Sequence, residues 1–278
     1  SVPIKAIATW ADARSRLSCN TWKVFAKKAK NTLNGNGMEL GYRVLGIIPA
    51  RGGSKGIPRK NVRLLAGRPL LAYTVDAAQT SLWLTKSIVT TDDLDVKRIA
   101  TSLGCETLVR PPNLAADDTP MLPVIIHTIE ALQSRNERYD IVVLLQPVAP
   151  LRTGSDIDAC LELLVESGAD SVVSVCEVPR HYHPEWQLVF TDNGLLTPYN
   201  GKPLSTLAPA RQLLSPTFVR NGAVYAVWTD FLVKNQQLLG PDTRAYVMPE
   251  IRSVNIDSEM DLLLAELVLT QQGKQSLL

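Results

Sequence analysis

From Val44 onward, short apolar runs alternate with stretches of helical period, and this rhythm restricts the chain more than any other feature. The runs are VLGIIPA (44–50), KSIVTT (86–91), CETLVR (105–110), DIVVLLQ (140–146) and DSVVSV (170–175). Between them lie PLLAYTVDAAQTS, PMLPVIIHTIEALQ and SDIDACLELLVESG, apolar at helical spacing. Several runs are apolar at successive residues, the pattern of strands covered on both faces. Alternation of this kind predicts an α/β fold with a doubly wound, mostly parallel sheet. Such sheets bind ligands outside the carboxyl ends of their strands. The loops after Ala50, Thr91, Arg110 and Gln146 are therefore the expected site.

After about residue 177 the rhythm changes. EWQLVFTDNGLLTPYN places the turn signal DNG between two extended runs, and GKPLSTLAPARQLLSPTF is irregular and proline-containing. These read as a hairpin and arm inserted in the fold, about residues 178–225, of the kind that crosses to a second subunit. The chain then returns through VRNGAVYAVW and ends in the helical SEMDLLLAELVL.

Residues 1–37 set Lys5, Arg14, Arg16, Lys23, Lys27, Lys28 and Lys30 against the single acid Asp12. A basic, acid-poor segment reads as a targeting peptide or as a dispensable extension. Met38, just ahead of the first strand pattern, would make a natural start and favours the extension. Residues 1–41 are thus expected outside the fold, and residues 42–278 are expected to form the domain.

Composition narrows the partners. The net charge of +2 is nearly neutral and the aromatics make up only 6% of the chain, so a nucleic-acid partner is not expected. No run of about eighteen apolar residues suggests a membrane span. Cys19, Cys105, Cys160 and Cys176 are too scattered for a zinc or disulfide framework and read as reduced thiols of a cytosol-like compartment. The cations are local instead. In ARGGSKGIPRKN, Gly52 and Gly53 bare the backbone directly after a buried strand, and Arg51, Lys55, Arg59, Lys60 and Arg63 follow with no acid among them. A triphosphate or pyrophosphate would satisfy such a loop; a solvated basic turn is the plainer alternative. A P-loop needs Ser or Thr after its lysine, whereas Gly56 follows Lys55, and the G-x-G-x-x-G spacing of a dinucleotide site is absent.

ARGGSKGIPRKN, LLQPVAPLR, ARQ, RNGAVY and NIDSEMD occur in the order seen in acylneuraminate cytidylyltransferases, the CMP-sialic acid synthetases, and the chain over residues 44–270 resembles that family. The resemblance implies a nucleotide-diphospho-sugar transferase-like fold with a dimerisation arm, acting as a homodimer or larger homo-oligomer. It implies transfer of CMP from CTP to the anomeric hydroxyl of a keto-sugar acid, with release of pyrophosphate and help from Mg2+. Arg51, Ser54, Lys55 and Lys60 would then clamp phosphate oxygens, with Lys60 among the catalytic groups, and Asn61 would help recognise the nucleotide. Arg110 looks like the arginine that contacts cytosine, against the plainer reading of a surface charge at a strand end. Gln146 would lie near the sugar, although alone it also fits an ordinary loop polar residue. Arg211 of ARQ resembles an essential arginine carried on the arm to a neighbouring subunit. Some animal relatives act in the nucleus, which leaves the compartment of a eukaryotic member open.

Asn255 and Asp257 in VNIDSEMD stand two apart on an extended segment, so both would face one magnesium. Many relatives carry two aspartates there; Asn255 gives up one negative charge. Asp257 is the main expected ligand, and Asp261 reads as a first-turn helix residue. In AADDTPMLP, where relatives are serine-rich, only Thr119 keeps a hydroxyl, and Met121 stands where serine is common. Asn255 and Met121 also motivate the rival of a non-catalytic nucleotide-binding homologue. Further enzymatic alternatives are the same reaction on legionaminate, pseudaminate or a deoxy-octulosonate. Asp92 reads equally as a support for the site or as the N-cap of the next helix. His181 and His183 are expected to touch substrate or to lie on the arm surface, and His127 to be a packed or partly exposed helix residue.

Overall fold

The computed structural model describes residues 41–54, 56–116 and 119–275; the extension expected at residues 1–41 lies almost wholly outside them, as do Lys55 and Cys19. Strand β1 (Val44–Pro49) leads through the basic loop to the short hairpin β2 (Leu64–Leu65) and β3 (Arg68–Pro69), then to helix α1 (Leu70–Thr80). Strand β4 (Lys86–Thr91), helix α2 (Leu94–Ser102), strand β5 (Glu106–Val109), helix α3 (Met121–Gln133) and strand β6 (Ile141–Leu144) follow. Next come helix α4 (Gly154–Ser167) and strand β7 (Ser171–Glu177), and then an arm holding the hairpin β8 (Leu188–Phe190) and β9 (Leu196–Pro198). The chain ends with β10 (Phe218–Trp228), α5 (Thr229–Asn235), β11 (Thr243–Val247) and α6 (Glu259–Gln275).

Seven strands form one sheet in the order β11-β7-β10-β6-β1-β4-β5, all parallel except β10, which runs antiparallel to both of its neighbours. Every residue of β1 is buried, and alternate side chains serve opposite faces. Val44 and Ile48 join Leu71 and Val75 of α1, Val96 of α2 and Leu161 and Leu164 of α4. Leu45 and Ile47 join Ile125 and Ile129 of α3 and Leu232 of α5 on the other face. Each such side chain contributes about 1.5–3 kcal/mol by leaving water, so the sheet is held from both sides.

Helix α2 is foreseen only as the helix that follows Asp92, and strand β11 is not foreseen. Helix α2 buries only Val96 and Ala100, so its apolar stripe is thin, and it starts because Asp93 accepts hydrogen bonds from the amides of Asp95 (2.8 Å) and Val96 (2.9 Å). Asp93, not Asp92, is therefore the N-cap. Strand β11 is a half-exposed edge strand, parallel to β7. Both lack the continuous apolar run that marks a central strand.

The antiparallel β10 breaks register between Arg220 and Tyr225. Gly222 there has φ +72°, a left-handed conformation glycine adopts at little cost. Because β10 runs backwards, this irregular segment lies at the edge where the parallel strands end.

A third apolar cluster lies beside that edge. Ile57 from the basic loop, Leu65, Leu70, Ile256, and Leu262 and Ala265 of α6 bury one another. The loop is thus packed onto the C-terminal segment. Among the described residues, no helix is long and apolar enough to cross a membrane.

Candidate active site

The basic loop leaves β1 at the sheet's carboxyl edge and turns through a 3-10 turn at Lys60–Val62. Three of its cations are matched by acids from elsewhere in the chain, which corrects the picture of a bare cationic loop. Arg59 pairs with Asp95 (2.6 Å) and Asp93 (3.4 Å), Lys60 with Asp257 (3.0 Å), and Arg63 with Glu259 (3.0 Å). Arg51 donates to the Ala116 carbonyl at 2.9 Å. Ser54 is half-buried, and Lys55 falls outside the described residues.

The glycines also have a reason beyond phosphate approach. A Cβ on Gly52 would come within 2.6 Å of Asp93 Oδ2, and one on Gly56 within 2.4 Å of the Asp257 carbonyl oxygen. The Gly52 amide already donates to Asp92 Oδ1 at 3.1 Å. Asp92 is therefore a support of the loop. Asn61 is buried and donates its side-chain amide to the Arg51 carbonyl at 2.8 Å. That bond makes it a brace for the loop backbone.

Arg110, expected either at a base or on the surface, is 4% exposed. It donates to the carbonyls of Thr90 (2.9 Å) and Leu114 (3.5 Å), and its Nε is buried without a partner among the described residues. Burial pushes its pKa down, Asp92 pulls it back up, and Arg51 pushes it down again. Arg51, Arg110 and Asp92 thus sense one another at the ends of β1, β4 and β5. Thr119 sits three residues past Ala116, to whose carbonyl its amide donates (3.2 Å), so it belongs to the segment that receives Arg51. Met121 opens α3 and packs, partly buried, against the second core face.

Gln146 follows β6. Its Oε1 lies 3.1 Å from where a Cβ on Gly222 would stand, and Asn255 Nδ2 lies 3.2 Å from the same point. The bare face of Gly222 is what lets these two carboxamides sit together. Ile256 is fully buried and donates its amide to the Val148 carbonyl at 2.8 Å, while its neighbours are a half-buried Asn255 and an exposed Asp257. Asn255 Oδ1 is buried and has no hydrogen-bond partner among the described residues. An orphaned amide oxygen two residues from an open carboxylate is a donor set suited to a hard divalent cation. Asp261 bonds the amides of Asp257 (3.1 Å) and Ser258 (2.8 Å) in the first turn of α6, the structural part expected of it.

One residue that holds the site escaped a role in the sequence reading. Arg152, at the end of LLQPVAPLR, is 3% exposed and donates to the Gln146 carbonyl (3.1 Å), the Ala223 carbonyl (2.6 Å) and Thr74 Oγ1 (2.6 Å). It ties the loop after β6 to the irregular part of β10 and to α1. Burial pushes its pKa down, to about 9, and nearby Asp156 opposes the shift, so it stays charged at neutral pH. Asp156 caps α4 through a box with Thr153 and accepts from Arg252 at 2.6 Å. Asn221 completes the brace: Ser174 Oγ donates to its Oδ1 (2.7 Å) and its Nδ2 donates to Ser253 Oγ (3.0 Å). A charged residue after a proline-rich turn resembles a surface residue, so only its motif marked it.

Arg211 stands apart from this assembly. It lies exposed in a 3-10 turn of the arm, Arg211–Leu213, and its side chain makes no hydrogen bond or ion pair to a described residue. Of the arm histidines, His181 keeps one of its expected places, the arm surface, and His183 does not. His183 is buried, with Nε2 2.9 Å from the Ser215 carbonyl and Nδ1 accepting from the Glu185 amide, so it staples the arm. His181 is exposed against Tyr182. His127 is half-buried on α3 with its Nδ1 unpartnered among the described residues.

Known proteins resemble this chain in sequence and in fold. The cytidylyltransferase family model matches residues 45–198, a span that includes the basic loop, Arg110 and Gln146. The chain is 31% identical over 227 residues to a CMP-N,N'-diacetyllegionaminic acid synthase of Legionella pneumophila, covering 81% of this chain and 95% of that protein. It is also 31% identical over 243 residues to an N-acylneuraminate cytidylyltransferase of Escherichia coli, with 84% of this chain matching 53% of that one. A solved CMP:2-keto-3-deoxy-manno-octonic acid synthetase in complex with CTP superposes with a TM-score of 0.61 at 16% identity, over 83% of this chain and 99% of that one. At that identity the likeness establishes the fold, the sheet and its helical layers. The chain belongs to the cytidylyltransferase family of nucleotidyltransferases, with N-acylneuraminate cytidylyltransferases among its relatives.

Proposed function

We propose that the chain transfers CMP from CTP to the anomeric hydroxyl of a nonulosonic, sialic-type acid and releases pyrophosphate. The observation that carries this reading is the linkage of the expected groups at one sheet edge. Arg51 and Arg110 donate to the carbonyls of Ala116 and Leu114 on one segment, Asn61 braces Arg51, Lys60 pairs with Asp257, and Gln146 and Asn255 share the face of Gly222. The family membership and the names of the relatives supply the chemical class.

The hydroxyl oxygen attacks the α-phosphorus, a new O–P bond forms, and the bond to the β-phosphate oxygen breaks as the hydroxyl proton is lost. Negative charge grows on the α-phosphate and the departing pyrophosphate. Cations held in advance favour that state without reorganising. Arg51 and Lys60 are braced by the contacts described above, and Ser54 and Lys55 lie between them on the same loop. Thr119 and Arg110 border the nucleotide, and Gln146 offers both a donor and an acceptor to sugar hydroxyls. Arg211 acts from the arm of a neighbouring subunit in a homodimer, which explains an exposed, unpaired guanidinium. Asn255 Oδ1 and the Asp257 carboxylate would hold Mg2+. When bound, magnesium neutralises phosphate charge and orients the triphosphate. Three cysteines buried as free thiols support a reducing, cytosolic site of action.

The test is pyrophosphate release by the full chain given CTP, magnesium and a panel of acids: N-acetylneuraminate, N,N'-diacetyllegionaminate, pseudaminate and a deoxy-octulosonate. We expect release with a nonulosonic acid, abolished by Asp257→Ala. CTP binding without release for any member would overturn the reading in favour of a non-catalytic homologue.

A further inference from the structure

We infer that Lys60 is the resident counter-ion of Asp257, so that a divalent cation binds this carboxylate only by displacing the ammonium, and that the nucleotide-free protein therefore holds the ion weakly. This rests on the metal placement proposed above. Lys60 Nζ lies 3.0 Å from Asp257 Oδ1 and 2.8 Å from the Ile256 carbonyl oxygen. The lysine side chain is 14% exposed and the aspartate 73%, so the ammonium occupies the inner side of the carboxylate.

The lysine is held there by its surroundings. Ile57 anchors the loop in the apolar cluster that also contains Ile256. Gly56 lies against the Asp257 carbonyl with no room for a side chain. Asn61, next in the turn, is tied to Arg51. The ammonium therefore meets the carboxylate by construction of the loop, with little ordering left to do.

Charge then decides the consequence. Asn255 offers a neutral oxygen, Asp257 one negative charge, and Lys60 cancels it. Hard divalent cations take oxygen donors with excess negative charge, and an ammonium about 3 Å from the ligand oxygen repels a dication. A polyanion that draws Lys60 away would release the carboxylate. By linkage it would raise ion affinity by the same factor that the ion raises affinity for the polyanion.

The experiment uses Mn2+ as probe, without nucleotide, on the full chain. Free Mn2+ is followed by electron paramagnetic resonance and binding heat by calorimetry. Lys60→Gln removes the charge while keeping a donor for the Ile256 carbonyl, and thermal melting verifies that it folds. We expect it to bind Mn2+ about tenfold more tightly than wild type. The gain should vanish in Lys60→Gln/Asp257→Ala, and Lys60→Arg should stay at wild-type affinity. If Lys60→Gln binds no more tightly while Asp257→Ala weakens binding, the counter-ion inference is overturned and the metal reading stands. If Asp257→Ala changes nothing in either background, both fall.

Discussion

The carboxyl edge of the sheet and the inserted arm are built on opposite principles. At the sheet edge nearly every charged group has a partner within the chain, supplied from far away: Lys60 meets Asp257 across 197 residues, and Arg152 meets Thr74 across 78. The arm is stapled to itself by His183, by Trp186 Nε1 donating to the Ala208 carbonyl at 3.0 Å, and by Arg180 donating to the Leu214 carbonyl. Yet it leaves Phe190 76% exposed, with Tyr199, Leu195 and Leu213 also open to solvent. The edge is braced largely from within the chain; the arm carries apolar surface and an arginine whose side chain bonds to no described residue. Large apolar side chains gathered on one exposed segment are a common mark of an interface.

The comparison breaks most clearly at Arg211. Arg211→Ala should lower kcat by roughly 10²–10³-fold, the usual cost of losing an electrostatic group used in the transition state, and leave the melting temperature unchanged because no described contact is lost. Mixing this variant with Gln146→Ala decides where the arginine acts. In a two-fold dimer with arms exchanged, half the dimers are mixed and each has one intact site, so about a quarter of wild-type activity should return. If the arm serves its own chain, mixing restores nothing.

The opposite side of the comparison is tested at Arg152. Arg152→Met keeps most of the volume but strips Thr74 Oγ1 and the Gln146 and Ala223 carbonyls of their donor. Leaving buried polar groups unpaired should cost about 2–5 kcal/mol of stability, read from the urea midpoint. A variant as stable as wild type would show that the edge is not held by its buried cation.

These two residues also show what the sequence discloses. The parallel strands β1, β6 and β7 are legible because burial on both faces leaves a largely apolar signature, whereas β4 and β5 show it only in part. The reversed direction of β10 is not, because VRNGAVYAVW reads equally apolar either way along the sheet. The basic loop is legible as charge, but its pairing is not. Glu259, Asp257, Asp93 and Asp95 reach it only after the fold has closed, and a count of local acids sees none of them. Arg211 is marked by its motif alone, and Arg152, though part of a motif, gains its bracing role only in the folded chain. Arginine is rarely buried, so sequence reasoning leaves it at the surface unless a site demands otherwise. The bare face of Gly222 is likewise invisible until Gln146 and Asn255 have been brought to it from either side.

The smallest effect concerns how tightly the complete edge is held at its margin. Burial alone would raise the pKa of Asp261; hydrogen bonds from Ser258 Oγ and from the Asp257 and Ser258 amides outweigh it and hold the carboxyl below its ordinary value, with help from Lys60. A carboxylate depressed in the folded state contributes stability above its unfolded pKa of about 4, and that contribution is lost as pH falls through the lower folded value. Asp261→Asn should therefore cost about 0.5–1 kcal/mol at neutral pH, the scale of a weakened helix cap, and the gap to wild type should close below about pH 4. A gap that persists unchanged in acid would mean that the side chain acts through shape alone. Asp257 would then owe its position to Lys60, Gly56 and Ile256, with no electrostatic share from the helix that follows it.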